Sequence, residues 1–243
     1  MAGVVAHPER ALARDEEERY AHWVQRRAAG EPVAYILGRR EFYGLDLEVT
    51  PAVLIPRPET ELLVELALAH IAPGAAAKVA DLGTGSGAIA LAVKRERPQA
   101  RVIAIDASPA ALAVARANAE RLQLNIEFRS GDWFAPLAGE SFDLVLANPP
   151  YVASGDPHLA QGDLRFEPRD ALVSGPDGLS AIRHIVSRAR PHLVDGGLLL
   201  IEHGAGQDVA VRELMANSGL QPFPGWRDLA GILRVAGGER RKH

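Results

Sequence analysis

The chain reads as an α/β protein built on a doubly wound, mostly parallel sheet, with a helical segment and a β-hairpin linker in front of it. Three observations predict this. Short apolar runs alternate with amphipathic segments from about residue 61 to the end. A glycine-rich turn joins the first such run to the first such segment, at Gly83, Gly85 and Gly87. The stretch before it carries a different pattern, with a charged helical segment and then a strand-like alternation closed by prolines. Strands alternating with helices pair in parallel, because each crossover helix returns the chain to the same end of the sheet.

Taken in order, residues 1–38 are charged and alanine-rich, and Glu9 to Ala29 predicts one or two helices ended by Gly30 and Pro32. In residues 39–60, Leu45, Leu47 and Val49 alternate with Asp46 and Glu48, a strand pattern, and Gly44 sits where a hairpin turn would form. Pro51, Pro56 and Pro58 then stiffen the connector. In residues 61–243, strands are expected at Lys78 to Leu82, Arg101 to Ile105, Asn125 to Arg129, Phe142 to Ala147 and Gly197 to Glu202. Helices are expected at Ser86 to Arg97, Pro109 to Leu122, Leu179 to Arg190 and Gln207 to Ser218, with Ser108 as an N-cap before Pro109. The basic tail Gly237 to His243 reads as disordered.

Composition bounds the function. The 243 residues are 47% apolar and 24% charged, with a net charge of −4. No apolar run is long enough to span a bilayer as a helix, and the N-terminus lacks the pattern of a secretory signal. A cytoplasmic monomer is the expectation. Cysteine is absent, which excludes disulfides, thiolate metal ligands and cysteine nucleophiles. The eight histidines show no ligand spacing with carboxylates, so no metal site is expected, and His203 reads as structural. The acidic balance gives no global reason for nucleic-acid binding. The early arginines, Arg10 to Arg40, are interleaved with Asp15 to Glu18 and read as a solvated face.

Asp81-Leu82-Gly83-Thr84-Gly85-Ser86-Gly87 links the first strand of this region to its first helix. Glycines there allow a sharp turn and close approach of backbone to a ligand, and the helix start offers free N–H groups. The spacing also fits a dinucleotide fingerprint. Asp106 ends the next strand, where a carboxylate can accept from ribose hydroxyls. Both a dinucleotide and S-adenosylmethionine carry that ribose, so Asp106 does not choose between them. Asp81, placed at the mouth of the loop, disfavours a pyrophosphate and favours the ammonium and sulfonium of S-adenosylmethionine. In Gly131-Asp132-Trp133-Phe134, either Asp132 accepts from an adenine amine or Trp133 packs on the ring.

The motif that points to the reaction is Asn148-Pro149-Pro150-Tyr151, directly after a strand. The lone pair of an amide or an aromatic amine is delocalised. Such a nitrogen becomes a nucleophile only when its N–H groups are engaged and the lone pair is aimed at the methyl carbon. The Asn148 side-chain oxygen and the Pro149 carbonyl supply two acceptors. The prolines fix the backbone and remove competing donors, and Tyr151 offers a flat wall. The expected reaction is methyl transfer to a planar nitrogen. The loop Val152 to Pro176 is a candidate cover for the substrate.

The Asn-Pro-Pro-Tyr tetrapeptide is shared by methyltransferases acting on glutamine in protein and on amino groups of DNA and RNA bases. Other segments are more specific. Gly30 to Gly38, Glu41 to Gly44, Leu54-Ile55-Pro56-Arg57-Pro58-Glu59-Thr60-Glu61, Asp81 to Ala92, Glu167-Pro168, Glu202-His203-Gly204 and Arg227 to Gly231 closely resemble the HemK-type peptide chain release factor glutamine methyltransferases. The resemblance runs from about Ala6 to the C-terminus. It implies a seven-stranded, Rossmann-like class I methyltransferase fold. The implied substrate is the Gly-Gly-Gln glutamine of bacterial class I release factors, with no direct nucleic-acid partner. By the same resemblance Gly83 to Gly87, Asp106 and Trp133 hold the cofactor, Asn148 to Tyr151 hold the glutamine amide, and Arg57 belongs to a segment covering the cofactor. The resemblance further implies that residues 1–38 are the remnant of the family's N-terminal helical substrate-binding domain, which has more helices than this chain supplies, so a reduced grip on the release factor is expected. The alternatives are a DNA or RNA amino-methyltransferase using the same tetrapeptide and a non-catalytic module that binds cofactor or release factor.

Overall fold

The structure, a computed structural model, describes residues 13–242. The expected helix start at Glu9 and the early Arg10 lie outside the described residues. Helix α1 (Arg14–Ala28) is followed by the short α2 (Val33–Leu37), which ends on Gly38 in the left-handed region. Strands β1 (Arg39–Phe42) and β2 (Leu45–Glu48) then form an antiparallel hairpin. Its two turn residues, Tyr43 and Gly44, have φ of 49° and 68°, the double positive φ that a tight two-residue hairpin needs. The expected alternation holds: Leu45 and Leu47 are buried, Asp46 and Glu48 exposed. Buried Asn118 docks the hairpin, accepting from Glu48 N at 2.7 Å and donating to the carbonyls of Glu48 and Ser86, each at 3.0 Å.

A one-turn 3-10 segment, Pro58–Thr60, leads into α3 (Glu61–His70). The elements that follow are β3 (Lys78–Leu82), α4 (Ala88–Glu96), β4 (Arg101–Asp106), α5 (Pro109–Arg121), β5 (Glu127–Ser130), β6 (Phe142–Ala147), α6 (Ser180–Ala189), β7 (Leu193–Glu202) and α7 (Asp208–Asn217). Three C-terminal strands close the sheet: β8 (Gln221–Pro222), β9 (Trp226–Arg227) and β10 (Leu233–Glu239). The order is β5-β4-β3-β6-β7-β10-β8, with β9 also on β10. Pairings from β5 to β7 are parallel, and β10 is antiparallel to its neighbours. The sheet has eight strands but is seven positions wide, because β8 and β9 share one edge of β10. The chain runs β3, β4, β5 to one side and returns with β6 on the other. That reversal opens a crevice at the carboxyl ends of β3, β4 and β6. Apolar residues fill both faces: Leu63, Leu91 and Leu144 belong to one buried cluster, and Ile105, Val145 and Ile182 to the other.

Four expectations need correction. Helix α4 starts at Ala88 rather than Ser86, because Gly87 sits at φ 85°, outside the helical region. Strand β5 starts at Glu127 rather than Asn125, after a turn that puts Gln123 at φ 55°. Strand β7 starts at Leu193, where it meets Phe142 ahead of a register shift. The expected disorder from Gly237 onward is wrong for Gly237 to Glu239. These residues pair with Leu198 to Leu200 of β7, although Gly237, Gly238 and the basic residues beyond Glu239 have the composition of a disordered tail.

Candidate active site

The glycine loop lies over the carboxyl end of β3. Gly83 N and Thr84 N both donate to Ile105 O at 2.9 Å, which pins the loop to β4. Gly83, Gly85 and Gly87 have φ of 71°, 56° and 85°, a conformation that L side chains rarely adopt. A Cβ on Gly85 would meet no atom within 4 Å, so the loop leaves its backbone open for a ligand to approach. Asp106 accepts from Gly85 N at 2.9 Å on one oxygen and from Ser108 N at 2.8 Å on the other. These two backbone donors fix the carboxylate at the rim, and its remaining lone pairs are free to accept hydroxyl groups.

A cavity of about 500 Å³ opens there. Its wall includes Arg57, Thr60, Gly83, Thr84, Gly85 and Ser86, then Asp106, Asp132, Trp133, Asn148 and Pro150. A second cavity of about 180 Å³ adjoins it, lined by Pro149, Tyr151, Val152, Leu164 and Leu172 among others. Leu54, Arg57, Asn148, Pro150 and Ala171 belong to both walls. The proline-rich motif thus stands at the junction of the two spaces. Gly87 and Asp81 line neither cavity.

Asp81 was expected at the loop's mouth. It is instead fully buried beneath the loop, where Thr84 Oγ1 donates to it at 2.6 Å and Ala90 N at 3.2 Å. Its Oδ1 has no hydrogen-bond partner among the described residues. Burial, with the nearby Asp106 charge, raises its pKa from 3.8 to about 7 despite those two bonds. An orphaned buried carboxylate oxygen under an open glycine loop fits a cationic ligand end above it and does not fit a pyrophosphate.

Asn148 Nδ2 donates to Thr60 Oγ1 at 3.0 Å, so its other amide atom, Oδ1, is turned away from that contact. The Tyr151 hydroxyl donates to Glu202 Oε1 at 3.2 Å. Burial and the Glu202 charge push the phenol's pKa up, so it stays protonated. Glu202 itself is raised to about 7, chiefly by burial. Trp133 has φ 47°, and its ring edge lies 3.2 Å from where a Cβ on Gly83 would be. The ring therefore flanks the glycine loop as part of the wall. Asp132 is exposed beside it.

Arg57 is held by an ion pair with Glu167, whose side chain is fully buried. Glu167 also accepts from Ile55 N at 3.0 Å. This one carboxylate fixes the segment that forms the shared wall. The roles of Thr60, Glu167 and Glu202 were missed in sequence. All three stand in motifs noted there, but nothing local in those motifs reveals partners more than fifty residues away. The loop after Tyr151 returns to its origin through a parallel bridge between Val152 and Val173. Between them, Leu164 and Leu172 reach the smaller cavity, Pro168 and Asp170 the larger, and Ala171 both. His203 is buried and its Nδ1 lies 2.9 Å from Gly204 O. Among the described residues no cluster of three or more His, Asp or Glu could hold a metal, and no helix is long and apolar enough to cross a membrane.

Comparison with known proteins adds to this geometry. The methyltransferase small domain family matches residues 58–165, and the PrmC N-terminal domain family matches residues 1–38. A release factor glutamine methyltransferase of Pseudomonas aeruginosa is 52% identical over 233 residues, 96% of this chain and 84% of that protein. One from Bordetella pertussis is 50% identical over 238 residues, 98% of this chain and 88% of that protein. A methyltransferase structure from Pyrococcus furiosus superposes with a TM-score of 0.63 at 18% identity, covering 91% of this chain and all of that one, and it shares the fold.

Proposed function

Since the chain belongs to the family of release factor glutamine methyltransferases, we propose that its larger cavity holds S-adenosylmethionine and its smaller cavity the substrate glutamine. The reaction is transfer of a methyl group to the side-chain amide nitrogen of the Gly-Gly-Gln glutamine in bacterial class I release factors. Release factors act at the ribosome, so the proposed compartment is the cytoplasm. The proposed domain boundaries are those read from the sequence, at residues 38 and 60.

Bound S-adenosylmethionine supplies an electrophilic methyl carbon on a sulfonium. Asp106 would accept from its ribose hydroxyls, and the loop Gly83 to Gly87 would let backbone N–H groups approach it. Trp133 and Asp132 would border its adenine. Buried Asp81 supplies negative potential under the loop. Asn148 Oδ1 and the Pro149 carbonyl accept the two amide N–H groups, which leaves the nitrogen lone pair directed across the shared wall. The amide nitrogen that gains the methyl group becomes positively charged and gives one of its two protons to water, so no strong base is needed.

The observation that carries this reading is the position of Asn148. It lines both cavities, and its Nδ2 is tied to Thr60. The walls of the smaller cavity support glutamine over a nucleobase. Leu54, Val152, Leu164, Ala171 and Leu172 are aliphatic, whereas a flipped base needs partners along its hydrogen-bonding edge.

The test is incubation with labelled S-adenosylmethionine and a release factor, an unmethylated DNA duplex or RNA. Label in the Gly-Gly-Gln peptide is expected, and label confined to nucleic acid would overturn the proposal. Asn148→Ala should abolish transfer while cofactor affinity changes by less than about tenfold, since it removes an orientation contact rather than a cofactor contact.

A further inference from the structure

One side chain ties together the two ends of the loop after the proline-rich motif. Gln207 stands just before α7, in the turn that follows β7. Its Nε2 donates to Tyr151 O at 3.2 Å and lies 3.4 Å from Asp177 O. Its Oε1 accepts from Gly204 N at 2.8 Å. Tyr151 O is the last carbonyl before the loop 152–176, and Asp177 O is the first after it. Between these two points the base of the loop is zipped. Val152 N donates to Leu172 O at 2.9 Å, Ser174 N to Val152 O at 2.9 Å and Ser154 N to Gly175 O at 2.8 Å. Gly178 makes the close approach possible, since a Cβ there would lie 2.2 Å from Tyr151 O. Tyr151, Val152 and Leu172 line the smaller cavity, whereas Gln207 lines neither cavity.

We propose that Gln207 is a positioning residue that sets the wall of the acceptor site, acting on the reaction through Tyr151 and the base of the loop. The proposal rests on the reading of the smaller cavity as the site of the substrate glutamine. All three partners of the Gln207 amide are backbone groups, whose polarity is fixed. A backbone N–H demands the oxygen end of the amide, and the two carbonyls demand the NH₂ end. One orientation therefore meets all three, and its reverse meets none. Tyr151 is thus held at both ends, its hydroxyl on Glu202 and its main chain on Gln207. Removing the Gln207 donor leaves the Tyr151 and Asp177 carbonyls without the nitrogen they share. The main chain that joins the rigid proline turn to Val152 then loses its fixed point, and with it the register of Val152 on Leu172. Methyl transfer is sensitive to such a loss, because a misplacement of about 1 Å can cost about a hundredfold in rate.

Two variants test the clamp. Gln207→Leu removes donor and acceptor together. Gln207→Glu keeps the shape and the acceptor for Gly204 N, but sets a carboxylate oxygen against two carbonyls. Each is measured for kcat and KM on a release factor, for cofactor affinity by calorimetry, for melting temperature and for amide hydrogen exchange across residues 152–176. Gln207→Leu is expected to lower kcat by about tenfold or more, with cofactor Kd within about threefold of the parent. It should also speed exchange at Val152, Ser154 and Ser174, the amides that zip the base of the loop. Gln207→Glu should be equally impaired at about pH 8 and should recover relative to the parent as pH falls towards about 5.5, because only the protonated acid donates to Tyr151 O. A purely structural role would instead lower the melting temperature, leave kcat per folded molecule intact and give no recovery with pH. Parental kcat in Gln207→Leu, with Asn148→Ala inactive, would overturn the clamp while the site assignment stands. A ratio of Gln207→Glu to parent that stays flat with pH would overturn it too. Turnover by Asn148→Ala would overturn the site assignment itself. Should Gln207→Leu fail to fold, the pH profile of Gln207→Glu decides alone.

Discussion

Burying Asp81 under the glycine loop has a cost that depends on pH, and Asp81→Asn measures it. The folded pKa is raised from 3.8 to about 7, chiefly by desolvation. A group whose folded pKa is raised contributes stability below its unfolded pKa and loses it as pH rises through the folded one. At roughly 1.4 kcal/mol per pH unit, the full difference is about 4 kcal/mol, of which about 3 kcal/mol falls between pH 5 and pH 8. Asparagine matches the protonated acid in shape and carries no such titration. Its carbonyl can still accept from Thr84 and Ala90. Its NH₂, placed where Oδ1 is orphaned, costs an unsatisfied donor, but that cost is constant with pH. The slope is therefore the quantity to read. Urea unfolding of both proteins at several pH values should show the variant gaining about 3 kcal/mol on the parent between pH 5 and pH 8. Subtracting one protein from the other removes carboxylates with the opposite tendency, such as Glu140 and Asp177, both held at about 2 by their basic partners and hydrogen bonds. A difference that stays flat with pH would refute the assignment of a strained carboxylate here. Repeating the series with saturating S-adenosylmethionine tests the electrostatic role. A cation above the loop should shrink the parent's disadvantage at pH 8.

A further outcome follows from the same geometry. Gly83→Ala forces a side chain into φ 71° and places its Cβ 3.2 Å from the Trp133 ring. It should cost about 1–2 kcal/mol of stability and weaken cofactor binding measured by calorimetry, because the ring must shift out of the wall.

What could be read from sequence is what is local. Gly83, Gly85 and Gly87 signal a turn because their conformational need is intrinsic. Asp106 could be placed because a strand end is recognisable from its apolar run. The role proposed for Asn148 to Tyr151 could be read because acceptor, rigid backbone and flat wall are contiguous in the chain. What could not be read is depth and distance. Asp81 looks like a loop residue in one dimension. Whether it meets solvent or β4 depends on how Gly83 N and Thr84 N reach over to Ile105. Strand β10 escaped notice because Gly237, Gly238 and the basic residues after Glu239 have the composition of a tail, while its pairing with β7 is a tertiary fact. Thr60, Glu167 and Glu202 act through partners 88, 110 and 51 residues away, and no periodicity encodes such a pairing.

Those long-range bonds alter the meaning of the proline-rich segment before α3. Read as a connector, it would only tether the N-terminal helices to the catalytic sheet. Four contacts argue that it is a wall of the site. Tyr35 O–H donates to Val53 O at 2.6 Å, Ile55 N donates to Glu167 at 3.0 Å, Arg57 pairs with that same carboxylate, and Thr60 receives Asn148. Leu54 and Arg57 face both cavities. On the other side, Arg27 of α1 pairs with Asp163 at 2.9 Å, and Arg165 donates to Ala29 O at 2.8 Å. The N-terminal helices thus hold the loop that covers the smaller cavity, while their connector holds the amide of Asn148. Packing thus joins the N-terminal segment both to the proposed substrate cover and to the proposed acceptor site at Asn148.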